Sequence, residues 1–596
     1  MSSTAASQFV AAKGGSFLVE NRTPTEVFTP EDLSEEQRQM AATVAQFARD
    51  EILPAAEEIE EKKPGVLAAL MRKAAELGFA SVDIPEEYGG LGMDKTTSTL
   101  ITDHLSVLAS FSTAFGAHIG IATLPLVWYG SEEQKQRYLP KLASGEWLGA
   151  YGLSEASSGS DAMNIRTRAT LSADGTTYTL NGEKMWITNC GIAGLYTVFA
   201  KIDGEKFSAF LIERDTPGLT VGAEEHKLGI RGSSTCPLVL QDCKVPAGNL
   251  LGEPGKGHHI AFNVLNVGRF KLGVACIGGA RHALAQTIEY AKQRKAFGKA
   301  IAEFGLIQRK IAQGATQLYA AESMAYRTVG MIDASLEQLG DHASRSSREI
   351  QKCIEEYAVE CSILKVYGSE MLTVVADELI ATMGGYGYVE EYPAERHYRD
   401  SRINRIFEGT NEINRLIISG WILKSAMAGK LALMPAIKTL MDEVMAGPVA
   451  KDEREGPLAA EFDLLANAKK LTLFAAGAAT QKYMMKIADE QEVMAALADM
   501  ITEVFTMESA ILRAEKIAAK GAGSPICVPL AKLYAAKAMD TIELAARKVI
   551  GAVAEGDALR TQMTILRRLA KHDPADTVSL RREVAVHVVK AGKYAT

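Results

Sequence analysis

The chain of 596 residues lacks the fingerprints of several enzyme classes. No GxGxxG follows a strand-like run and no GxxxxGK[ST] occurs, which sets aside a nucleotide site built on a Rossmann turn or a P-loop. Seven cysteines are scattered without a CxxC pair, so they read as reduced, mostly buried thiols rather than a disulfide or zinc framework. The pair His258-His259 has no third ligand at metal spacing, and no metal is expected. Positive charge is not in excess. Lys and Arg number 65 against 73 Asp and Glu, a net charge of −8 that argues against a nucleic-acid partner. Residues 1–15 hold a single Lys and no continuous apolar stretch, so neither a secretory signal nor a transit peptide is expected there. No apolar run reads as long enough to cross a bilayer. A cytoplasmic enzyme is the expectation.

What is present is a change of texture along the chain, long enough for several domains. Residues 29–148 read as helical, opening on a capping box of Ser34 and Gln37. Residues 149–252 turn to β, with Asp174-Gly175, Asn181-Gly182 and Asp203-Gly204 as hairpin-turn signals between short apolar runs. Residues 256–426 form long helices with few breakers before the glycines around 384–387. Residues 428–596 add a further helical region, in which Ile501, Val504, Phe505, Ile511 and Leu512 share one helical face. The architecture is therefore α+β with segregated elements: an N-terminal helical domain, a middle β-barrel or sandwich, a helical bundle, and an extra C-terminal helical domain.

Three stretches carry the chemistry. Residues 151–161 (YGLSEASSGSD) offer hydroxyls and exposed backbone N–H groups to an anionic or heterocyclic ligand, although alone they read as an ordinary loop. Residues 184–189 (KMWITN), after the Asn-Gly signal, present Trp186 and Thr188 from an expected strand. Residues 402–415 (RINRIFEGTNEINR) place Glu408 behind Phe407, where desolvation raises a carboxyl pKa and makes it a stronger base. Gly409 lets a ligand approach the backbone, and Thr410 reads as a helix N-cap. Taken alone, this last stretch is equally a helix start with a surface Glu.

Together these stretches, in this order, with residues 293–299 (QRKAFGK) and 381–388 (ATMGGYGY), resemble the acyl-CoA dehydrogenase family. The similarity is greatest to its very-long-chain subclass and to bacterial fatty-acid β-oxidation relatives, and it spans about residues 34–425. It implies FAD as cofactor, with Tyr151, Leu153, Ser154, Gly159, Ser160, Trp186, Ile187 and Thr188 on the flavin side. Arg294, Phe297, Phe304, Gln308, Ala381, Gly384, Gly385, Thr410, Asn411 and Glu412 are implied toward the adenine and pyrophosphate. Part of that end comes across a subunit interface in this family, which implies a homo-oligomer, a dimer by preference.

By the same resemblance Glu408 is the catalytic base that removes the α-proton of a fatty acyl-CoA, while the β-hydrogen leaves as hydride to the flavin. Ser160, Asn266, Arg269, Phe407 and Gly409 are the implied substrate contacts, and an electron-transfer flavoprotein the implied acceptor. Some relatives carry the base on the substrate helix instead; Gly268 stands at that position here, which argues against the isovaleryl type. Ser154 and Ala156 stand where the family usually has Thr and Pro, and Gly305 and Ala381 replace common glutamines, which puts the adenine-side contacts in doubt. Gly116 and Gly120 lie four apart and could open the base of an acyl pocket for a long chain, or serve close helix packing. Arg567, Arg568, Arg581, Arg582 and Lys590, set among apolar residues, allow a peripheral membrane contact or a subunit interface. An acyl-CoA oxidase and a non-catalytic assembly relative are the alternative readings.

Overall fold

The computed structural model describes residues 9, 11–340, 347–446, 454–521 and 523–596. An N-terminal segment with 3-10 turns leads into helices α1 (Glu35–Phe47), α2 (Ala56–Glu60), α3 (Val66–Glu76), α4 (Lys95–Leu105), α5 (Ala109–Gly116), α6 (Leu124–Tyr129) and α7 (Glu132–Ala143). The capping box forms as expected. Gln37 N–H donates to Ser34 Oγ at 3.1 Å, and the Gln37 side chain accepts from the Ser34 N–H at 3.0 Å. Beyond Phe47 the helix widens into a π-turn through Ile52. A second π-turn, Ala117–Ala122, follows α5 and carries Gly120.

The middle region is an eight-stranded sheet: β1 (Gly149–Gly152), β2 (Arg168–Leu171), β3 (Thr177–Thr188), β4 (Leu195–Ile202), β5 (Lys206–Glu213), β6 (Leu219–Val221), β7 (Thr235–Pro246) and β8 (Leu250–Leu251). The order is β6-β7-β3-β2-β4-β5-β8, with β1 added in parallel on β4. The turns at Asp174-Gly175 and Asp203-Gly204 close β2–β3 and β4–β5 as read from the sequence; between the paired Ile202 and Lys206, Asp203 and Gly204 both take positive φ, which Asp and Gly tolerate best. Asn181-Gly182 is not a turn. It lies inside β3 at a register break against β7, and the missing side chain admits Thr167, whose Cα would lie 2.8 Å from a β-carbon at 182.

Long helices follow: α8 (Gly257–Gln293), α9 (Gly305–Glu337), α10 (Ser347–Glu356), α11 (Ala358–Met383), α12 (Gly385–Tyr388), α13 (Ala394–Ser401) and α14 (Asn411–Met427). The C-terminal region comprises α15 (Leu433–Ala446), α16 (Ala459–Tyr483), α17 (Gln491–Lys520), α18 (Cys527–Val553), α19 (Gly556–Ala570) and α20 (Thr577–Ala591). Its apolar residues share one continuous core with α8, α9 and α11, Phe505, Ile511 and Val504 among them, so these helices pack as one body with the bundle. Two stretches, Ala109–Tyr129 and Gly257–Gln293, do reach the length and apolar content of a membrane span, contrary to the sequence reading. They are 72% and 67% buried inside the protein, as core helices are.

Candidate active site

The segment before α14 folds so that Glu408 and Gly409 both take left-handed backbone angles, φ 58° and 81°. Such a conformation costs about 1–2 kcal/mol at a non-glycine residue, so something must hold it. The carbonyls of the turn are gathered from three sides. Asn414 Nδ2 donates to Gly409 O at 2.8 Å and Thr410 O at 3.0 Å. Arg269 Nε, on α8, donates to Glu408 O at 3.3 Å, and Lys365 Nζ, on α11, to Gly409 O at 2.7 Å. Thr410 caps α14 by accepting the Ile413 N–H at 3.3 Å. The glycine at 409 serves the turn, and the cap is the one read from the sequence.

The Glu408 side chain therefore projects back toward α8, where Gly268 makes room for it: a β-carbon at 268 would meet its carboxylate Oε2 at 2.7 Å. Burial pushes the Glu408 carboxyl up to about 7, and the Arg269 and Lys365 cations hold it from rising further. Its Oε2 is buried without a hydrogen-bond partner. Burial likewise pushes the Lys365 ammonium down to about 8.

Glu408, Phe407 and Thr188 stand where two cavities meet. The wider, a cleft of ≈ 550 Å³, lies between the sheet and the helices α8 and α14. It brings together Tyr151, Leu153, Ser154, Gly159, Ser160, Trp186, Ile187 and Thr188 with Asn266, Arg269, Phe407 and Gly409, all named from sequence. Trp186 sits in a bulge of β3 with φ 58° and keeps its side chain 57% exposed, rather than packing the core as a strand aromatic usually does. The Tyr151 hydroxyl, like Glu408 Oε2, is buried in this lining without a partner. The narrower cavity, ≈ 140 Å³, runs from Glu408 between α4, α5 and α8, with Gly116 and Gly120 in its wall.

The loop and the bulge are fastened to each other by a buried pair that sequence reasoning did not find. Lys184 Nζ donates to Glu155 Oε1 at 2.7 Å and to Leu153 O at 3.2 Å, and Glu155 also accepts the N–H groups of Arg166 and Thr167. The remaining residues named from sequence do not join the cleft lining. Asn411 is buried and turned into the bundle, bonded to Lys365, Ser369 and Glu370, so its side chain is structural. Thr410 is taken up by its cap and Glu412 is exposed. Arg294, Gly384 and Gly385 line a separate open groove with Tyr290 and Tyr392. Phe297 is 96% exposed beside Phe304, while Gln308 and Ala381 lie outside each of these cavities.

Four family models match in chain order: acyl-CoA dehydrogenase N-terminal domain at 34–146, middle domain at 150–243, and two C-terminal domains at 255–423 and 467–568. A probable acyl-CoA dehydrogenase of Bacillus subtilis is 47% identical over 584 residues, 98% of each chain. A crystal structure of an acyl-CoA dehydrogenase complexed with FAD from Bacillus anthracis superposes with a TM-score of 0.96 at 46% identity, covering 98% of this chain and 100% of that one. The very long-chain specific mitochondrial enzyme of Rattus norvegicus is 38% identical over 392 residues, 64% of this chain and 57% of the relative. The chain belongs to the acyl-CoA dehydrogenase family.

Proposed function

We propose that this chain removes hydrogen across the α and β carbons of a fatty acyl-CoA, giving the trans-2-enoyl-CoA, with FAD as its cofactor. The observation that carries the reading is Glu408, a carboxylate raised to about 7 whose Oε2 has no partner at the meeting point of two cavities. The wide cleft fits a flat heterocycle. Its wall offers the Trp186 indole, the Thr188 hydroxyl and the unpartnered Tyr151 hydroxyl, on two segments locked together by Lys184 and Glu155. When bound, FAD supplies the two-electron acceptor for the β-hydrogen at flavin N5.

The protein's part is acid–base and positional. Glu408 Oε2 is the atom free to take the α-proton, and a pKa near 7 leaves a large share of it ionised at neutral pH while making it a stronger base than an ordinary carboxylate. The backbone N–H of Glu408, fixed by the turn, is the donor for the thioester carbonyl as negative charge develops there. Arg269 and Asn266, bonded to each other at 2.9 Å, hold the α8 wall of the cleft on the CoA side. The acyl chain enters the narrow cavity past Gly116 and Gly120, a route that favours long chains. Electrons pass on to an electron-transfer flavoprotein. Two copies pair through the exposed apolar end that carries Phe297 and Leu306, completing the adenine side around Arg294, Gly384 and Gly385.

The test is anaerobic titration of the purified flavoprotein with acyl-CoAs of graded length. Bleaching of the flavin absorbance by long-chain acyl-CoA supports the proposal, and no bleaching by any acyl-CoA overturns it. Rapid reoxidation by oxygen with stoichiometric peroxide would move the assignment to an oxidase.

A further inference from the structure

Lys365 is an unusual residue to find where it is. Its side chain is 0% exposed in the middle of α11, in the helical core, with no carboxylate bonded to it. A buried ammonium is costly unless its donors are used and its charge is matched. Here it donates to Gly409 O at 2.7 Å and to Asn411 Oδ1 at 2.8 Å, so it grips the chain on the C-terminal side of Glu408. Arg269 grips the Glu408 carbonyl itself from α8. Asn411 is in turn fixed by Ser369 and Glu370, so the grip is braced against α11. Glu408 thus rides on a left-handed turn held between two cations from two different helices.

We propose that Lys365 is a positioning residue for Glu408, fixing the turn that aims the carboxylate and keeping a cation beside it that favours its ionised form. This rests on the assignment of Glu408 as the base. The other ionisable groups around the pair are Arg269, Cys276, Cys361, Glu412 and Glu370, the last paired with Arg415, with Tyr151, Glu355 and Lys424 in the cleft lining and Lys271, His397 and Asp400 along the narrow cavity. Among them Arg269 and Lys365 are the cations that lower the Glu408 proton affinity. Burial at Lys365 weakens its own hold on a proton, and nearby Glu408 acts against that, so the two charges support each other. A role confined to packing would make no such link between position 365 and the protonation of position 408.

The experiment is the pH dependence of flavin reduction by acyl-CoA in single turnovers, with FAD content and melting temperature measured on the same holoenzyme samples. Lys365→Met keeps the length and removes the charge. Its midpoint for reduction should move up by about one pH unit or more relative to wild type, with much of the rate recovered at high pH. Lys365→Gln, neutral but still carrying an amide donor that can reach toward Gly409 O, should move the midpoint the same way and covers the case in which Lys365→Met does not fold. A uniform loss of rate with the midpoint unmoved in the folded variant would overturn the proposal. Wild-type flavin that no acyl-CoA reduces would instead overturn the assignment of the reaction itself.

Discussion

Gly268 and Glu408 are fitted to each other across the gap between α8 and the turn before α14. A β-carbon at 268 would lie 2.7 Å from Oε2, 2.9 Å from Cδ and 3.0 Å from Oε1 of Glu408, all at the mobile end of one side chain. The helix gives up a side chain where the carboxylate needs the space. Because the three nearest atoms all belong to that one flexible carboxylate, Gly268→Ala should fold normally. An alanine inside a helix is worth up to about 1 kcal/mol over glycine, so its stability should hold or rise. Flavin reduction should nonetheless fall by about 100-fold, since a displaced carboxylate no longer meets the α-carbon at reacting distance. Thermal melting and single-turnover reduction on the same preparation separate the two effects; a variant with wild-type reduction would show that Glu408 does not need this position.

The raised carboxyl of Glu408 sets the direction of the pH dependence. Protonated below about 7, it cannot accept the α-proton, so the rate of flavin reduction should climb with pH and level off above that value. The same shift acts on stability. In the unfolded chain the group ionises near its ordinary value of 4.5, in the folded chain only near 7, so its favourable contribution is complete below 4.5 and is lost as pH rises through 7. Glu408→Gln, neutral throughout, should be more stable than wild type at pH 8 in the absence of substrate. It should still bind acyl-CoA while reduction drops by about 10²–10⁴-fold. Comparison of chemical unfolding at pH 5 and pH 8, with stopped-flow reduction alongside, checks both halves; a variant that bleaches at the wild-type rate would remove Glu408 from the chemistry.

Much of this site is legible in the sequence, for a physical reason. The residues that line the wide cleft lie on short continuous segments, so YGLSEASSGSD, KMWITN and FEGT carry their signal locally. The parts that hold those segments in place do not. Lys184 and Glu155 are 29 residues apart, and Lys365 and Gly409 are 44 apart; in sequence each is one charged residue among many. Asn181-Gly182 shows the reverse failure, a true local turn signal overridden by the approach of Thr167 from a neighbouring segment. Asn411 reads as a ligand contact from the motif it stands in, but helix geometry turns it inward. The residues expected on the adenine side are divided between the start of α14 and the open groove of Arg294, Gly384 and Gly385, because they come from segments that single-chain folding does not bring into one cavity.

Gly116 and Gly120 make the chain-length proposal testable. No atom outside their own helical segment lies within 4 Å of a β-carbon at either position, and both border the narrow cavity beyond Glu408. Close helix packing, the other explanation for paired glycines, would have put a neighbour in that space. Gly116→Leu should therefore be tolerated by the fold and fill the cavity. Turnover of long acyl-CoAs should be lost while that of short ones is kept, read as kcat/KM across a series of chain lengths. Equal loss at every length would assign the glycines to something other than the acyl pocket.

The C-terminal helices are tied to the rest of the molecule by buried charge, and that can be measured apart from catalysis. Arg513, on α17, is buried and bonds Glu31 of the N-terminal segment at 2.7 Å and Glu322 of α9 at 2.7 Å. Glu322 also accepts from Arg281 at 2.9 Å and from Tyr594 near the chain end at 3.0 Å. Removing one member of such a set leaves its partners desolvated and uncompensated, at a cost of about 3–5 kcal/mol. Arg513→Met should destabilise by that amount in chemical denaturation, and adding Glu322→Gln should return part of it, because only Glu31, and no longer the more buried Glu322, is then left without the arginine. Flavin reduction by the folded fraction should be unchanged in both. If Arg513→Met costs no more than an exposed salt bridge, about 1 kcal/mol or less, the network is not what fixes the C-terminal helices to the core, and their shared apolar packing must carry that role alone.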